Sequence, residues 1–200
     1  MYQIFQACKG STSLCQDSIA VIQCSDGSLL LCVADGAGGM GGGAEASSFI
    51  CDLLRQNADE LVRKRNFREW LSDIDSQLYR NPLTGESSCI IVCLKYGIVQ
   101  GASVGDSECW NLGWGKDLTE NQYRKPLLGS GMADIVCFRE RFDGTLLCGS
   151  DGLFKYVDRG KIYKTALKSS RPEIDLLELA KKATGYLQDD FSAIVVRENK

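Results

Sequence analysis

Five aspartates stand where apolar runs meet turns: Asp17, Asp35, Asp106, Asp151 and Asp189. Asp35 ends the run Leu29–Leu30–Leu31–Cys32–Val33–Ala34 and is followed by Gly36–Ala37–Gly38–Gly39. Asp151 repeats the arrangement in Leu146–Leu147–Cys148–Gly149–Ser150–Asp151–Gly152. Carboxylates fixed at strand ends, with glycine letting a ligand approach the backbone, suit a hard divalent cation such as Mg²⁺ or Mn²⁺. Taken singly, Asp-Gly is an ordinary turn dipeptide, and Asp17 or Asp189 alone reads as a solvated loop residue. Together the five point to a carboxylate-bound metal centre.

The composition closes several alternatives. The 200 residues include no histidine. A Ser-His-Asp or Cys-His site, a His-ligated metal and a histidine general acid are therefore excluded. Ten cysteines suggest a disulfide scaffold, yet Cys32, Cys89, Cys93, Cys137 and Cys148 lie in apolar runs, where a thiol acts as a small core residue. There is no C-x-x-C pair, so a structural zinc site is not expected either, and the chain reads as a reduced, cytoplasmic protein. A net charge of -3 argues against a generic nucleic-acid surface. No apolar run is long enough to span a membrane, and Met1–Tyr2–Gln3–Ile4 does not open a signal peptide. Neither nucleic acid nor membrane is an expected partner.

The elements that must position the aspartates follow from periodicity. Strands are expected around Tyr2–Cys8, Ser18–Cys24 and Leu29–Ala34, with Asp26–Gly27 as a hairpin turn between the last two. Ala46, Phe49, Ile50, Leu53, Leu54, Leu61 and Val62 follow helical spacing, and Phe67, Trp70, Leu71, Ile74 and Leu78 form a second stripe. Further strands are expected at Ser88–Lys95, Ile98–Val104, Glu108–Leu112, Asp134–Arg139 and Thr145–Gly149. Pro172 opens a helix whose apolar positions run from Leu176 to Ala183, and Phe191–Arg197 forms a last strand. No linker or repeat interrupts the chain, so residues 1–200 read as a single domain. Its class is α+β, with two antiparallel sheets flanked by helices. Of the smaller features, Trp110 is expected in the core and Trp114 at the surface. Ser47 and Ser48 read as helix caps, and Arg63–Lys64–Arg65 as a solvated helix end.

The ordered motifs carry a resemblance. Val33–Ala34–Asp35–Gly36–Ala37–Gly38–Gly39, Val104–Gly105–Asp106–Ser107, Ser150–Asp151–Gly152–Leu153 and Asp189–Asp190–Phe191–Ser192–Ala193–Ile194 occur in that order. The pattern resembles the metal-dependent protein phosphatase family, PP2C, and its short bacterial members most of all. Gly43–Ala44–Glu45–Ala46–Ser47 is similar to the start of that family's first long helix, and Leu118–Thr119–Glu120–Asn121 to the motif that follows its GDS segment.

The resemblance implies a four-layer α-β-β-α sandwich with two Mg²⁺ or Mn²⁺ ions at one end. In it Asp35 bridges both metals, the Gly36 carbonyl adds a ligand, and Asp151 and Asp189 hold one ion. Asp17 acts close by through waters, and Asp106 with Asp151 contributes to a third, loosely held metal. The implied activity is hydrolysis of phosphoserine or phosphothreonine in a protein substrate by attack of a metal-activated water. The implied setting is a bacterial cytoplasm in which the enzyme opposes a Ser/Thr kinase.

This chain also departs from the pattern. Where relatives place a phosphate-gripping arginine five residues before the first motif aspartate, it has Thr12, whose hydroxyl is then the expected contact to phosphate. Ala37 replaces a histidine, Glu108 replaces the arginine after the GDS segment, and Asp189–Asp190 replaces Asp-Asn. The expected catalytic set is thus Asp35, Asp17 and Thr12. Loss of phosphate-gripping charge leaves a second reading open: a non-catalytic module of this fold that binds metal or phosphopeptide.

Overall fold

A strand apolar at every position must be covered on both faces, and residues 29–34 and 89–94 are of that kind. The computed structural model describes residues 2–37 and 41–199, so Gly38 and Gly39 of the glycine motif lie outside the described residues. The chain runs through β1 (Tyr2–Lys9), β2 (Asp17–Gln23), β3 (Leu29–Gly36), α1 (Gly43–Lys64), α2 (Phe67–Arg80), β4 (Ser87–Lys95) and β5 (Ile98–Val104). It continues with β6 (Glu108–Asn111), β7 (Lys116–Asp117), β8 (Val136–Arg141), β9 (Thr145–Gly149), α3 (Asp151–Phe154), α4 (Arg159–Lys168), α5 (Pro172–Ala180) and β10 (Phe191–Glu198).

The strands form two antiparallel sheets, ordered β2-β3-β4-β5-β8 and β1-β10-β9-β6-β7. Alternation along β3 and β4 then divides their side chains between two cores. Leu29, Leu31, Val33, Ile90, Val92 and Leu94 face the other sheet, meeting Leu146, Cys148, Ile194 and Val196. Leu30, Cys32, Ala34, Ile91 and Cys93 turn outward onto α1 and α2, where Ile50, Leu54, Leu61, Leu71, Ile74 and Leu78 cover them. On the second sheet Leu147, Ala193 and Val195 point away from the sandwich, toward Leu153, Phe154, Ile162 and Leu176 of α3, α4 and α5. Each such valine, leucine, isoleucine or phenylalanine contributes about 1.5–3 kcal/mol on full burial, so both helical layers are held by their apolar stripes. The result is the α-β-β-α sandwich expected from the sequence.

Some expectations need correction. α5 stops at Ala180 rather than running to Ala183, because Lys181 turns into a bridge with Leu187. α4 was not expected. Only Ile162 and Ala166 are buried on it, too short a stripe to register as periodic, while the Asp158 carboxylate caps it by accepting from the Lys161 N–H at 3.0 Å. Cys137 is exposed rather than in the core, since β8 is an edge strand whose alternate residues face water. Ser47 is not a cap. It is buried, and its hydroxyl donates to the Gln16 carbonyl at 2.5 Å, tying α1 to the segment before β2. Trp110 is 7% exposed and Trp114 64%, as expected.

Candidate metal centre

The strand register assembles the acidic residues at one end of the sandwich. Asp17, the first residue of β2, pairs directly with Asp35 near the end of β3, and Asp35 pairs on its other side with Ser88 of β4. Cross-strand partners share a face, so the two carboxylates are held side by side by backbone ladders. Val104 pairs with Cys89, which places Asp106 just beyond β5 at the same end. On the second sheet Gly149 pairs with Ala193, so Asp151 leaves β9 where Asp189 approaches β10. Five aspartates far apart in sequence thus border one region. Four of them (Asp35, Asp106, Asp151 and Asp189) line a cleft of about 420 Å³ together with Gly36 and Thr12. Asp17 does not line the cleft itself; it pairs with Asp35, which does, and is only 5% exposed.

Glycine is required where these segments cross. A Cβ on Gly36 would stand 2.2 Å from the Gly43 carbonyl oxygen, and one on Gly152 would stand 1.9 Å from that of Asp190. No larger residue fits either place without moving backbone. The motif glycines therefore bring α1 against β3 and the Asp189–Asp190 turn against α3.

Burial and mutual crowding raise the proton affinity of the clustered carboxylates. Burial, then the charges of Asp17, Asp151 and Asp106, pushes the Asp35 carboxyl up to about 9. Burial likewise raises Asp17 to about 6. The Ser150 and Ser192 hydroxyls stand near enough to favour the Asp17 carboxylate, yet no hydrogen bond of normal geometry reaches either of its oxygens. Burial first, and then Asp189 and Asp106, also raises Asp151. A buried carboxylate with two unpartnered oxygens is costly unless a cation completes it. The donor set is all oxygen, which fits Mg²⁺ or Mn²⁺ rather than zinc. Among the described residues no three His, Cys, Asp or Glu side chains form a ready-made cage, so the carboxylates border the cleft without converging on a point.

Thr12 reaches the cleft, its hydroxyl donating to the Leu14 carbonyl at 3.0 Å. Two functional groups escaped the sequence reading, and a third, Asp190, enters it only as the residue in place of Asn in an Asp-Asn motif. Arg124 and Lys125 line the same cleft, and Arg124 Nε donates to Asp106 Oδ2 at 2.8 Å. They come from an irregular segment with no motif to mark it, and only the fold carries them to the cleft. Asp190 accepts from the Ser11 N–H at 2.7 Å, the Ser11 hydroxyl at 2.8 Å and the Gln16 N–H at 2.6 Å, so it clamps the β1–β2 loop that walls the cleft. Glu108, by contrast, is taken up by Arg159 Nη2 at 2.7 Å and the Trp110 indole N–H at 2.8 Å.

A profile described as protein phosphatase 2C matches residues 6–111. The chain belongs to the protein phosphatase 2C family. The match contains Asp17, Asp35 and Asp106, whereas Asp151 and Asp189 join them through the fold. Solved phosphatase structures share that fold over essentially the whole chain. The serine/threonine phosphatase Stp1 from Staphylococcus aureus is 20% identical with a TM-score of 0.81, covering 100% of this chain and 95% of that one. The S. agalactiae serine/threonine phosphatase is 18% identical with a TM-score of 0.80, each chain covered over 100%. The catalytic domain of the serine threonine protein phosphatase PstP, solved with two manganese ions, is 18% identical with a TM-score of 0.77, covering 98% of this chain and 97% of that one. No curated protein matches the chain. By family the chain is a protein phosphatase. Among the described residues, none of the helices of this protein phosphatase 2C chain is long and apolar enough to cross a membrane.

Proposed function

We propose that residues 1–200 act as one domain, a cytoplasmic protein serine/threonine phosphatase dependent on Mg²⁺ or Mn²⁺, which removes phosphate from proteins modified by a Ser/Thr kinase. The observation that carries this reading is the cross-strand pair Asp17–Asp35 at the cleft, with neither Asp17 oxygen hydrogen-bonded and Asp35 crowded by Asp151 and Asp106. Two cations would be held by Asp35, the Gly36 carbonyl, Asp151 and Asp189, with Asp17 beside them and Asp106 available to a third. When bound, such ions supply positive charge against the phosphoryl oxygens and acidify a water.

The remaining work falls to the chain itself. Asp17 and Asp35 hold their relative positions through the β2–β3 ladder, so the carboxylates do not reorganise during reaction. Arg124 and Lys125 give the cleft the positive charge that Thr12 does not, and a phosphate arriving there would meet a guanidinium fork whose Nε is held by Asp106.

A Mn²⁺ titration with a phosphothreonine peptide tests the proposal. Hydrolysis that rises with Mn²⁺ and is lost in Asp35→Ala is the expected result. Mn²⁺ binding without hydrolysis of any phosphomonoester would instead establish the non-catalytic reading, which the absence of histidine and of an arginine at position 12 favours.

A further inference from the structure

Among the described residues, four pairs of cysteine sulfurs approach within 4 Å of each other. Cys109 and Cys148 stand 3.3 Å apart, Cys32 and Cys89 3.8 Å, and Cys51 and Cys32 3.9 Å. All five of those residues are buried in the cores, out of reach of a dissolved oxidant. The fourth pair differs. Cys8 Sγ and Cys15 Sγ are 3.7 Å apart, Cys8 is exposed and Cys15 half-buried.

We infer that Cys8 and Cys15 form a modification site that a hydroperoxide converts to an intramolecular disulfide. Their position makes the bridge sterically accessible. Cys8 is the penultimate residue of β1, paired with Ser192, and Cys15 lies in the loop that returns the chain to β2. Gly10 permits that return, since a Cβ there would stand 3.1 Å from the Cys15 Cα. The sulfurs need to approach by only roughly 1.7 Å to reach bonding distance, and the side chains sit at a strand end and on the adjoining loop rather than inside a packed core. Cys137 is also exposed but has no thiol beside it among the described residues.

The chemistry balances with hydrogen peroxide as oxidant. One thiolate attacks a peroxide oxygen, the O–O bond breaks, and a sulfenic acid and one water result once protons are taken up. The neighbouring thiol attacks that sulfur, the S–S bond forms, the S–O bond breaks, and a second water leaves. Two thiol hydrogens and two electrons pass to the peroxide. The bridge closes a small ring around residues 9–14, and Ser11, Thr12 and Leu14 within that ring line the cleft. Oxidation therefore tightens the same loop that Asp190 holds from the other side.

Peptide mass spectrometry on the full chain, treated with hydrogen peroxide and then alkylated, tests this directly. Lys9 lies between the two cysteines, so trypsin separates a peptide ending at Lys9 from one beginning at Gly10 unless a bridge joins them. The expected outcome is a joined pair lighter by two hydrogens, reversed by dithiothreitol, absent in both Cys8→Ser and Cys15→Ser, and retained in Cys137→Ser. Hydrogen exchange at the amides of residues 11–14 should also slow in the bridged protein. Both cysteines alkylated after oxidation, or Cys8 carried on to sulfinic acid with no joined peptide, would overturn the inference. So would a dimer bridged through Cys137 as the sole product. The readout is a covalent bond and stands whether or not the chain hydrolyses phosphopeptides.

Discussion

At the scale of single residues, the acidic side chains differ in what their loss should do. Asp35→Ala and Asp189→Ala are expected to abolish Mn²⁺-dependent hydrolysis while leaving circular dichroism unchanged, because in the proposed centre each would hold a cation and its loss relieves the crowding of carboxylates. Calorimetry should show Mn²⁺ binding weakened in both. Full activity in both variants would remove the metal-centre assignment. A second pair of substitutions probes the phosphate side of the cleft. Thr12→Arg should lower KM for a phosphopeptide, and Arg124→Ala should raise it several-fold. A charge-assisted hydrogen bond is worth about 1.5–3 kcal/mol before screening, and the Arg124 side chain is 69% exposed, which reduces its share. Steady-state kinetics on one peptide reads both. An unchanged KM in Arg124→Ala would mean that Lys125 or the metals carry the phosphate alone.

At the scale of elements, the β1–β2 loop depends on one side chain from the far end of the chain. Asp190 holds two backbone amides and a hydroxyl of that loop, and no helix or strand otherwise orders residues 10–16. Asp190→Ala should therefore free the loop. Faster hydrogen exchange at Ser11 and Gln16 and a lower kcat/KM are expected, with Asp190→Asn intermediate because it keeps one acceptor oxygen. Unchanged exchange in Asp190→Ala would show that the loop is ordered by its own turns. The helices carry a different lesson. The long α1 and α2 are legible in sequence because their stripes repeat over several turns. The short α4 is not, since two buried residues set no period.

At the scale of the whole molecule, the acidic end couples stability to pH and metal. Asp35 at about 9 and Asp17 at about 6 both sit above the ordinary carboxylate value near 4. The folded state therefore keeps protons that the unfolded chain has released. Their contribution to stability is fully present below about pH 4. It is lost as pH rises, through about 6 for Asp17 and about 9 for Asp35. Metal-free protein should lose Tm between pH 5 and pH 9, by about 2–4 °C per kcal/mol for a chain of this size, and Mn²⁺ should restore it. Asp35→Asn should raise the metal-free Tm at pH 8 and leave it unchanged at pH 4. A flat Tm profile in metal-free protein would mean that the carboxylates are solvated or already paired.

The missing histidine sets a further expectation for the molecule as a catalyst. A serine alkoxide leaves poorly without a proton, and general-acid assistance is worth about 10²–10⁴-fold. Aryl phosphates, whose phenolate leaves readily, should turn over well, whereas phosphoserine peptides should turn over slowly and show no titration near pH 6.5, the usual range of histidine. Equal rates on both substrates at saturating Mn²⁺ would reveal a proton donor among the cleft residues.

The sequence by itself determined the class, the two-sheet sandwich and the five aspartates, because strand ends, glycine turns and alternation are local properties that the chain displays wherever it folds. It also showed what is absent: every histidine, and an arginine at position 12. Tertiary structure alone decided which groups meet those aspartates. Arg124 and Lys125 carry no periodic signal, and Pro126 beside them marks only a turn; they reach the cleft because the segment after β7 meets that end of the sandwich. Asp190 reads in sequence only as a departure from an Asp-Asn motif, and Cys8 and Cys15 as two thiols among ten. Contacts between chain ends 170 or more residues apart, such as Asp190 with Gln16, arise from the antiparallel pairing of β1 with β10, which no short window of sequence contains.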